Sequence, residues 1–269
     1  MNTPIPVALT VAGSDSGGGA GIQADLKTFT ALGVFGTSAI TCITAQNPNA
    51  VTGIEAVSPK LIAAQIKAVA SSFPVAAIKT GMLFSAEVIH VVAKTLKTVN
   101  CGPLVVDPVM VATSGARLLK LDAMEALFRE ILPRATVITP NLNEAEILAG
   151  CNIKSLKDLQ KAALIISKRF GTACLAKGGH LDGGKVVDVL CVETEFTLYT
   201  APRVRLRGTH GTGCTFSAAL TAALANGKDL HEAVAIAKSF VTQALRQARP
   251  TGQHYPLNFL ISKYKMVQH

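Results

Sequence analysis

The chain has 269 residues, 49% of them hydrophobic and only 16% charged, and its 26 basic against 17 acidic residues give a formal charge of +9. That length suits one large α/β domain, or at most two, and buries enough apolar surface to fold without disulfides or metal. The high apolar fraction excludes a disordered chain. With 5% aromatics and no Trp, a stacking platform for single-stranded nucleic acid is poorly supplied. The positive balance favours anionic ligands but does not choose among them.

In chain order, the first strand is read at Val7–Ala12. This apolar run lacks a basic flank and is too short for a signal segment. No uncharged apolar stretch reaches the ~18–20 residues of a bilayer span, so the expected compartment is a reducing cytoplasm. The strand runs into Gly13-Ser14-Asp15-Ser16-Gly17-Gly18-Gly19-Ala20-Gly21, ahead of a helix starting near Ile22. Glycines in such number let backbone amides approach a ligand. No Gly-Lys-Ser/Thr follows, so this is not a Walker A loop. Gly19-Ala20-Gly21-Ile22-Gln23-Ala24 fits the loose dinucleotide pattern, but Thr41–Gln46 holds no carboxylate for a ribose, and that reading is set aside. Gly36–Gln46 reads as strand without an intervening helix, an expected antiparallel addition, and Pro59–Ser72 and Ala86–Val99 read as amphipathic helices.

Leu104–Val106 is the next strand, ending on Asp107-Pro108-Val109-Met110. Helix Asp122–Leu132 and strand Thr136–Thr139 follow, then Pro140-Asn141-Leu142-Asn143-Glu144. Asn141 and Glu144, three apart, share a face of an opening helical turn. A glutamate there can hold magnesium beside phosphates, and an ordinary helix cap explains the same letters. Helix Leu156–Arg169 precedes strand Thr172–Ala176 and Lys177-Gly178-Gly179-His180. Val186–Val204 reads as further antiparallel strand, with Arg203, Arg205 and Arg207 alternating on one face. Thr209-His210-Gly211-Thr212-Gly213-Cys214-Thr215 precedes the Ala-rich helix Phe216–Ala225. Glycines before a helix N-terminus form an anion hole, and a cysteine in the first turn is expected to have a lowered pKa, bringing its thiolate within reach of neutral pH. From Gly252 the tail is expected to fray.

The six cysteines (Cys42, Cys101, Cys151, Cys174, Cys191 and Cys214) form no CxxC pair and no zinc-spaced cluster with histidine. Strands alternating with helices predict βαβ units and a mainly parallel sheet in one domain. Polar residues at five strand ends, where open α/β sheets bind ligands, argue for phosphoryl transfer.

Seven motifs in order carry a resemblance over nearly the whole chain, from about Ala8 to about Gln247. They are Ala12–Phe29 (AGSDSGGGAGIQADLKTF), Thr44–Pro48 (TAQNP), Lys79–Leu83 (KTGML), Asp107–Met110 (DPVM), Thr139–Glu146 (TPNLNEAE), Lys177–His180 (KGGH) and His210–Ala219 (HGTGCTFSAA). With them the chain closely resembles the hydroxymethylpyrimidine kinase/phosphomethylpyrimidine kinase family of thiamine biosynthesis, within the ribokinase superfamily. The resemblance implies a ribokinase-like three-layer α/β sandwich with a small flap, usually dimeric, and two ATP-dependent phosphorylations of one pyrimidine. It implies that the pyrimidine meets Gly13, Asp25 and Gln46 and packs between Ala20, Met82 and Val109. ATP would lie near Asn141, Lys177, Thr209 and Asp107, with magnesium at Glu144 and Asp107. The turn Gly211-Thr212-Gly213 and Cys214 would carry catalysis. Wider relatives place an aspartate base where Cys214 stands, which makes the base a weak one. A loose transition state tolerates that.

Two other readings sit beside this one. Pyridoxal kinases share the scaffold and the cysteine turn, but the Gln46 amide suits an aminopyrimidine edge. A non-catalytic pyrimidine-binding regulator would be expected to lose phosphate-handling residues, whereas Lys177 and Glu144 are present. No nucleic-acid or membrane partner is expected.

Overall fold

The computed structural model describes residues 4–99, 102–110, 119, 121–179, 184–206 and 210–260. His180, Arg207 and Thr209 lie outside them. Six strands run parallel: β1 (Val7–Asp15), β2 (Phe35–Gln46), β4 (Val75–Thr80), β5 (Leu104–Val106), β6 (Val137–Ile138) and β7 (Ala173–Ala176). Three are antiparallel additions: β3 (Val51–Ala56) beside β2, then β8 (Lys185–Val192) and β9 (Glu195–Pro202) beyond β7. The sheet order is β3-β2-β1-β4-β5-β6-β7-β8-β9.

The helices are α1 (Gly21–Ala31), α2 (Pro59–Ser72), α3 (Ala86–Leu96), α4 (Leu121–Glu130), α5 (Leu142–Ala149), α6 (Leu156–Phe170), α7 (Thr212–Ala225) and α8 (Leu230–Arg246). Side chains alternate across a strand, so neighbours in the sequence feed opposite layers. Val106, Ile138 and Cys174 join one cluster with α2 to α6, while Val105, Val137 and Leu175 join another with α7 and α8. A third, around Ala8, Phe29 and Ala77, seats α1 against α7. A sheet covered on both faces explains the nearly continuous apolar runs of the central strands. The result is the three-layer ribokinase-like sandwich.

Three expectations need correction. Gly36–Gln46 is not an antiparallel addition: the α1 crossover returns β2 parallel to β1, and only its far end pairs antiparallel with β3. Arg203 and Arg205 do not share a strand face, because β9 stops at Pro202. Arg203 instead donates from Nη1 to the Gly179 carbonyl at 2.7 Å. The described part of the tail is docked, with Leu257 buried and the Asn258 amide bonded to the Ala244 carbonyl at 3.1 Å.

Candidate active site

The chain leaves β1 toward β2 and returns on β1's other side at β4, which makes a switch point where loops part. At that edge lie the glycine loop after β1, Gly81–Met82 after β4, Asp107–Val109 after β5, Asn141 after β6 and Lys177 after β7. Helices α2, α3, α5, α6 and α8 each have a capping side chain, from Ser58, Ser85, Asn141, Ser155 and Asp229. Helices α1 and α7 start at the two glycine-rich loops on Ala20 and Gly211 and have no side-chain cap. Their first-turn amides and positive dipole ends are left to a ligand.

The two loops interlock through glycine. Gly211 has φ +80°, and a Cβ there would stand 1.7 Å from the Gly19 carbonyl oxygen. Gly21 has φ +55°, with Gly13 O 2.4 Å from a Cβ position, and its N–H donates to Cys214 Sγ. The Asp15 carboxylate gathers the amides of Gly17, Gly19 and Ala20 at 2.8, 3.1 and 2.8 Å, which shapes the glycine loop. Gly13 lies against Cys42 Sγ and Met82, where any side chain would collide.

Two ion pairs lie under the loops. Lys79 Nζ is 2.6 Å from Asp25 Oδ1 with both side chains inaccessible, and Thr10 donates to Asp25 Oδ2 at 2.7 Å. Burial alone would discharge Lys79, but the negative charge of Asp25 holds its ammonium above the ordinary value. Lys177 Nζ is 3.2 Å from Asp107 Oδ1, and Ser217 donates to Asp107 Oδ2 at 3.2 Å. A Cβ on Gly213 would lie 3.4 Å from Lys177 Nζ and 3.9 Å from Asp107 Oδ2, so the turn, the lysine and the aspartate adjoin.

Glu144 closes a capping box, accepting from the Asn141 amide at 2.9 Å, while its other oxygen takes the Met110 amide at 3.3 Å. The helix-cap reading is therefore realised. Burial, and then the neighbouring Asp107 charge, push its carboxyl up to about 7. Burial likewise pushes the Cys214 thiol up to about 11, against the attraction of Lys79. The expected near-neutral thiolate is thus corrected: desolvation outweighs the helix terminus, and Cys214 is a thiol at pH 7.

The structure brings together Gly13, Ala20, Gly21, Met82, Asp107, Lys177 and the Gly211–Cys214 turn, with Val109 half-buried beside Asp107. It does not place Asp25 in the pocket. Its two oxygens accept from Thr10 Oγ1 and Lys79 Nζ, and the side chain is inaccessible. Gln46, at the end of β2, meets the ring of His210. Sequence reasoning missed Lys79, His210 and Ser217 as functional residues, although all three lie inside quoted motifs. A lone lysine directly after the apolar run Val75–Ile78 is a signal, since a buried charge demands a partner. Also missed was the pair Lys238–Asp188 at 2.6 Å, whose aspartate takes the Gly178 amide at 3.0 Å and so braces the residue after Lys177. Lys238 also lines a cleft of about 310 Å³ between β9 and α8 with Tyr199, Pro202 and Gln243.

The family model described as phosphomethylpyrimidine kinase matches residues 15–258. The chain belongs to this family and is a phosphotransferase. It is 49% identical over 258 residues to the hydroxymethylpyrimidine/phosphomethylpyrimidine kinase of Haemophilus influenzae, covering 93% of this chain and 95% of the relative. It is 48% identical over 255 residues to the thiamine biosynthesis bifunctional protein ThiED of Geobacter sulfurreducens, covering 94% of this chain but 52% of that longer relative. Among solved structures it is similar to an ADP complex of Bacillus subtilis pyridoxal kinase, with TM-score 0.87 and 39% identity over 96% of this chain and 98% of that one.

Proposed function

We propose that the chain transfers a phosphoryl group from ATP to 4-amino-5-hydroxymethyl-2-methylpyrimidine and then to the resulting monophosphate, giving the diphosphate used in thiamine biosynthesis. The observation that carries this reading is the meeting of two uncapped helix N-termini at Cys214, beside Lys177 and Asp107. Phosphoryl transfer is mostly positioning and electrostatic clamping, and this arrangement supplies both. The pyrimidine stacks between Ala20, Met82 and Val109 with Gln46 at its edge, its hydroxymethyl group toward Cys214. ATP lays its phosphates across Asn141, Lys177 and the Gly211–Gly213 amides, and its base toward the cleft of Lys238.

Cys214 accepts the hydroxymethyl proton, and only its thiolate fraction does so. Lys79 beneath lowers the cost of that anion. The Gly21 amide holds the sulfur in place, while the α7 amides take the charge growing on the transferred group. Asp107 and Glu144 fit a magnesium site of the sparse kind: they are two neighbouring carboxylates, and burial, then the Asp107 charge, keeps Glu144 partly protonated until a cation is held there. Bound there, magnesium would neutralise phosphate charge. Among the described residues no cluster of three or more metal-ligating side chains exists, and none is required.

The reading includes one kinase domain, a homodimer and a cytoplasmic setting. The exposed Ile43, Val51 and Ile54 of β2 and β3 support a partner at this end of the sheet, and no described helix is long and apolar enough to cross a membrane. Pyridoxal phosphorylation is the second reading, favoured by the likeness to the B. subtilis pyridoxal kinase. ATP consumption measured in parallel with the pyrimidine, its monophosphate and pyridoxal tests both. Turnover of pyridoxal alone would overturn the first.

A further inference from the structure

One polar side chain at the site takes no part in the phosphoryl chemistry. His210 comes from the turn before α7, yet its ring crosses to the opposite wall. Its Nε2 lies 2.9 Å from Gln46 Nε2 and 3.3 Å from Asp15 Oδ2. The ring edge also covers Gly19, where a Cβ would come within 3.2 Å of it.

Counting donors and acceptors decides how the Gln46 amide must lie. With the amide nitrogen toward His210, the ring Nε2 would have to accept a hydrogen while facing a carboxylate that only accepts. The Asp15 contact would then set lone pair against lone pair. The other end of the amide has the same difficulty. Gln46 Oε1 lies 3.1 Å from Thr44 Oγ1, but Thr44's single hydrogen goes to the Ser14 carbonyl at 2.8 Å. Turning the carboxamide over resolves both conflicts. The amide N–H donates to Thr44 Oγ1, and His210 Nε2–H donates to the amide oxygen, shared with Asp15. The two ends of an amide fill the same volume, so the network fixes which end is which. Asp15 is itself held by three loop amides, so the whole chain of bonds is anchored.

We propose that His210 is a specificity-determining positioning residue. Its Nε2–H locks the Gln46 carboxamide with oxygen toward the α7 turn and nitrogen toward Thr44. The remaining lone pair and N–H are then offered to the substrate ring in one fixed order. An aminopyrimidine edge, an exocyclic amine donor beside a ring-nitrogen acceptor, matches that order. Pyridoxal, laid with its hydroxymethyl group in the same place, sets an aldehyde where the amine lies and a hydroxyl-bearing carbon where the ring nitrogen lies, and does not. This inference rests on the placement of Gln46 in the pyrimidine pocket, and the test separates the two.

Steady-state kinetics would be measured with the aminopyrimidine alcohol and with pyridoxal, on the parent, His210→Phe, His210→Gln, Gln46→Leu and the double variant His210→Phe/Gln46→Leu. His210→Phe keeps the ring's shape and loses the donor. It is expected to raise the aminopyrimidine KM by about 10-fold to 100-fold, as for a binding group left mispaired, with kcat and the ATP KM within about threefold. The pyridoxal KM should not rise, so discrimination narrows. His210→Gln, which keeps an N–H at similar reach, should restore most of the lost affinity. In the Gln46→Leu background His210→Phe should add nothing, because its effect passes through the amide.

If Gln46→Leu raises the aminopyrimidine KM while His210→Phe leaves it unchanged, or if the two effects add in full, the inference about His210 fails and the pocket stands. If Gln46→Leu itself changes nothing, the pocket placement fails and takes this inference with it. Should His210→Phe not fold, His210→Gln decides: a KM near the parent's supports the donor role, and one near that of Gln46→Leu overturns it.

Discussion

Replacing Gly211 by alanine tests how far catalysis depends on the two loops being interlocked. The new Cβ would sit 1.7 Å from the Gly19 carbonyl oxygen, and backbone cannot yield as a flexible side chain does. Reaching even the 3.0 Å that real Cβ contacts respect requires the loops to part by about 1.3 Å. The left-handed φ of +80° adds ~1–2 kcal/mol of backbone strain for any residue with a Cβ. A displacement of that size at a site built on positioning costs on the order of 100-fold in rate, even where no reacting group is removed. Because Gly211 caps α7 while Gly19 belongs to the substrate loop, both kcat and the pyrimidine KM should worsen. The ATP KM should worsen too, but by less, since the turn amides shift while Lys177 and Asp107 stand on other strands. The assay is coupled ADP release with each substrate varied in turn, with thermal melting alongside to confirm a folded protein. A folded Gly211→Ala enzyme with kcat/KM within about threefold of the parent would show that the loops do not need their contact.

Cys214→Ala should lower kcat by ~10²–10⁴-fold with modest change in either KM, the signature of a proton transfer made in the transition state. With a thiol at about 11, the thiolate fraction rises tenfold per pH unit, so parental kcat should climb between pH 7 and 9, and Cys214→Asp should flatten that climb; a flat parental profile refutes the thiolate base. The Glu144 carboxyl is raised to about 7, so the folded state holds its proton more tightly than the unfolded chain. Its contribution to stability is present below about 4.5 and lost as pH rises through about 7. Glu144→Gln should remove that slope from chemical denaturation of the metal-free protein and weaken magnesium-induced stabilisation at pH 8; a magnesium titration that overlays the parent's would leave Glu144 a helix cap only. Lys79→Met strands the Asp25 carboxylate with no water, a loss of ~3–5 kcal/mol that lowers Tm by about 10 °C in a chain of this size, and adding Asp25→Leu should recover much of it. An unchanged Tm in Lys79→Met would mean that the pair is not buried.

Local pattern made much of the fold readable. Pro59–Ser72 was bounded by the serine and proline that start α2, and Leu156–Arg169 fell one residue short of α6 because Gly171 marks the stop. The direction of β2 was not readable, since a strand's own letters do not say which neighbour receives it. That follows from the α1 crossover, which forces a parallel return. Nor was the end of β9 visible. The alternation of Arg203, Arg205 and Arg207 continues the strand's polar period past the point where pairing stops.

The same limit divides the site. Glycines and the anion turn declare themselves because their chemistry is local: a backbone that must come close needs no Cβ. Charge pairing is not local. Asp25 and Lys79 stand 54 positions apart, and Asp107 and Lys177 stand 70 apart. In the sequence, Asp25 is a carboxylate that could meet substrate; in the fold it is fully buried, with Lys79 and Thr10 on its two oxygens. The pKa reversal at Cys214 has the same origin. A helix N-terminus predicts a lowered thiol, an effect of a few peptide dipoles that local sequence reveals. Desolvation depends on everything packed around the sulfur, including Asp25 and Asp107, whose charges also disfavour the anion. Lys79 opposes them, which gives the buried pair a consequence beyond stability. Neutralising Lys79 while keeping the fold should raise the Cys214 pKa further and move the rising limb of the kcat profile to higher pH. Since the Asp25 charge opposes Lys79 at the sulfur, the double variant Lys79→Met/Asp25→Leu is titrated beside Asp25→Asn, which lacks the aspartate charge but keeps the lysine. If these two pH profiles overlay each other, Lys79 has only a structural role, and the base at Cys214 is set without it.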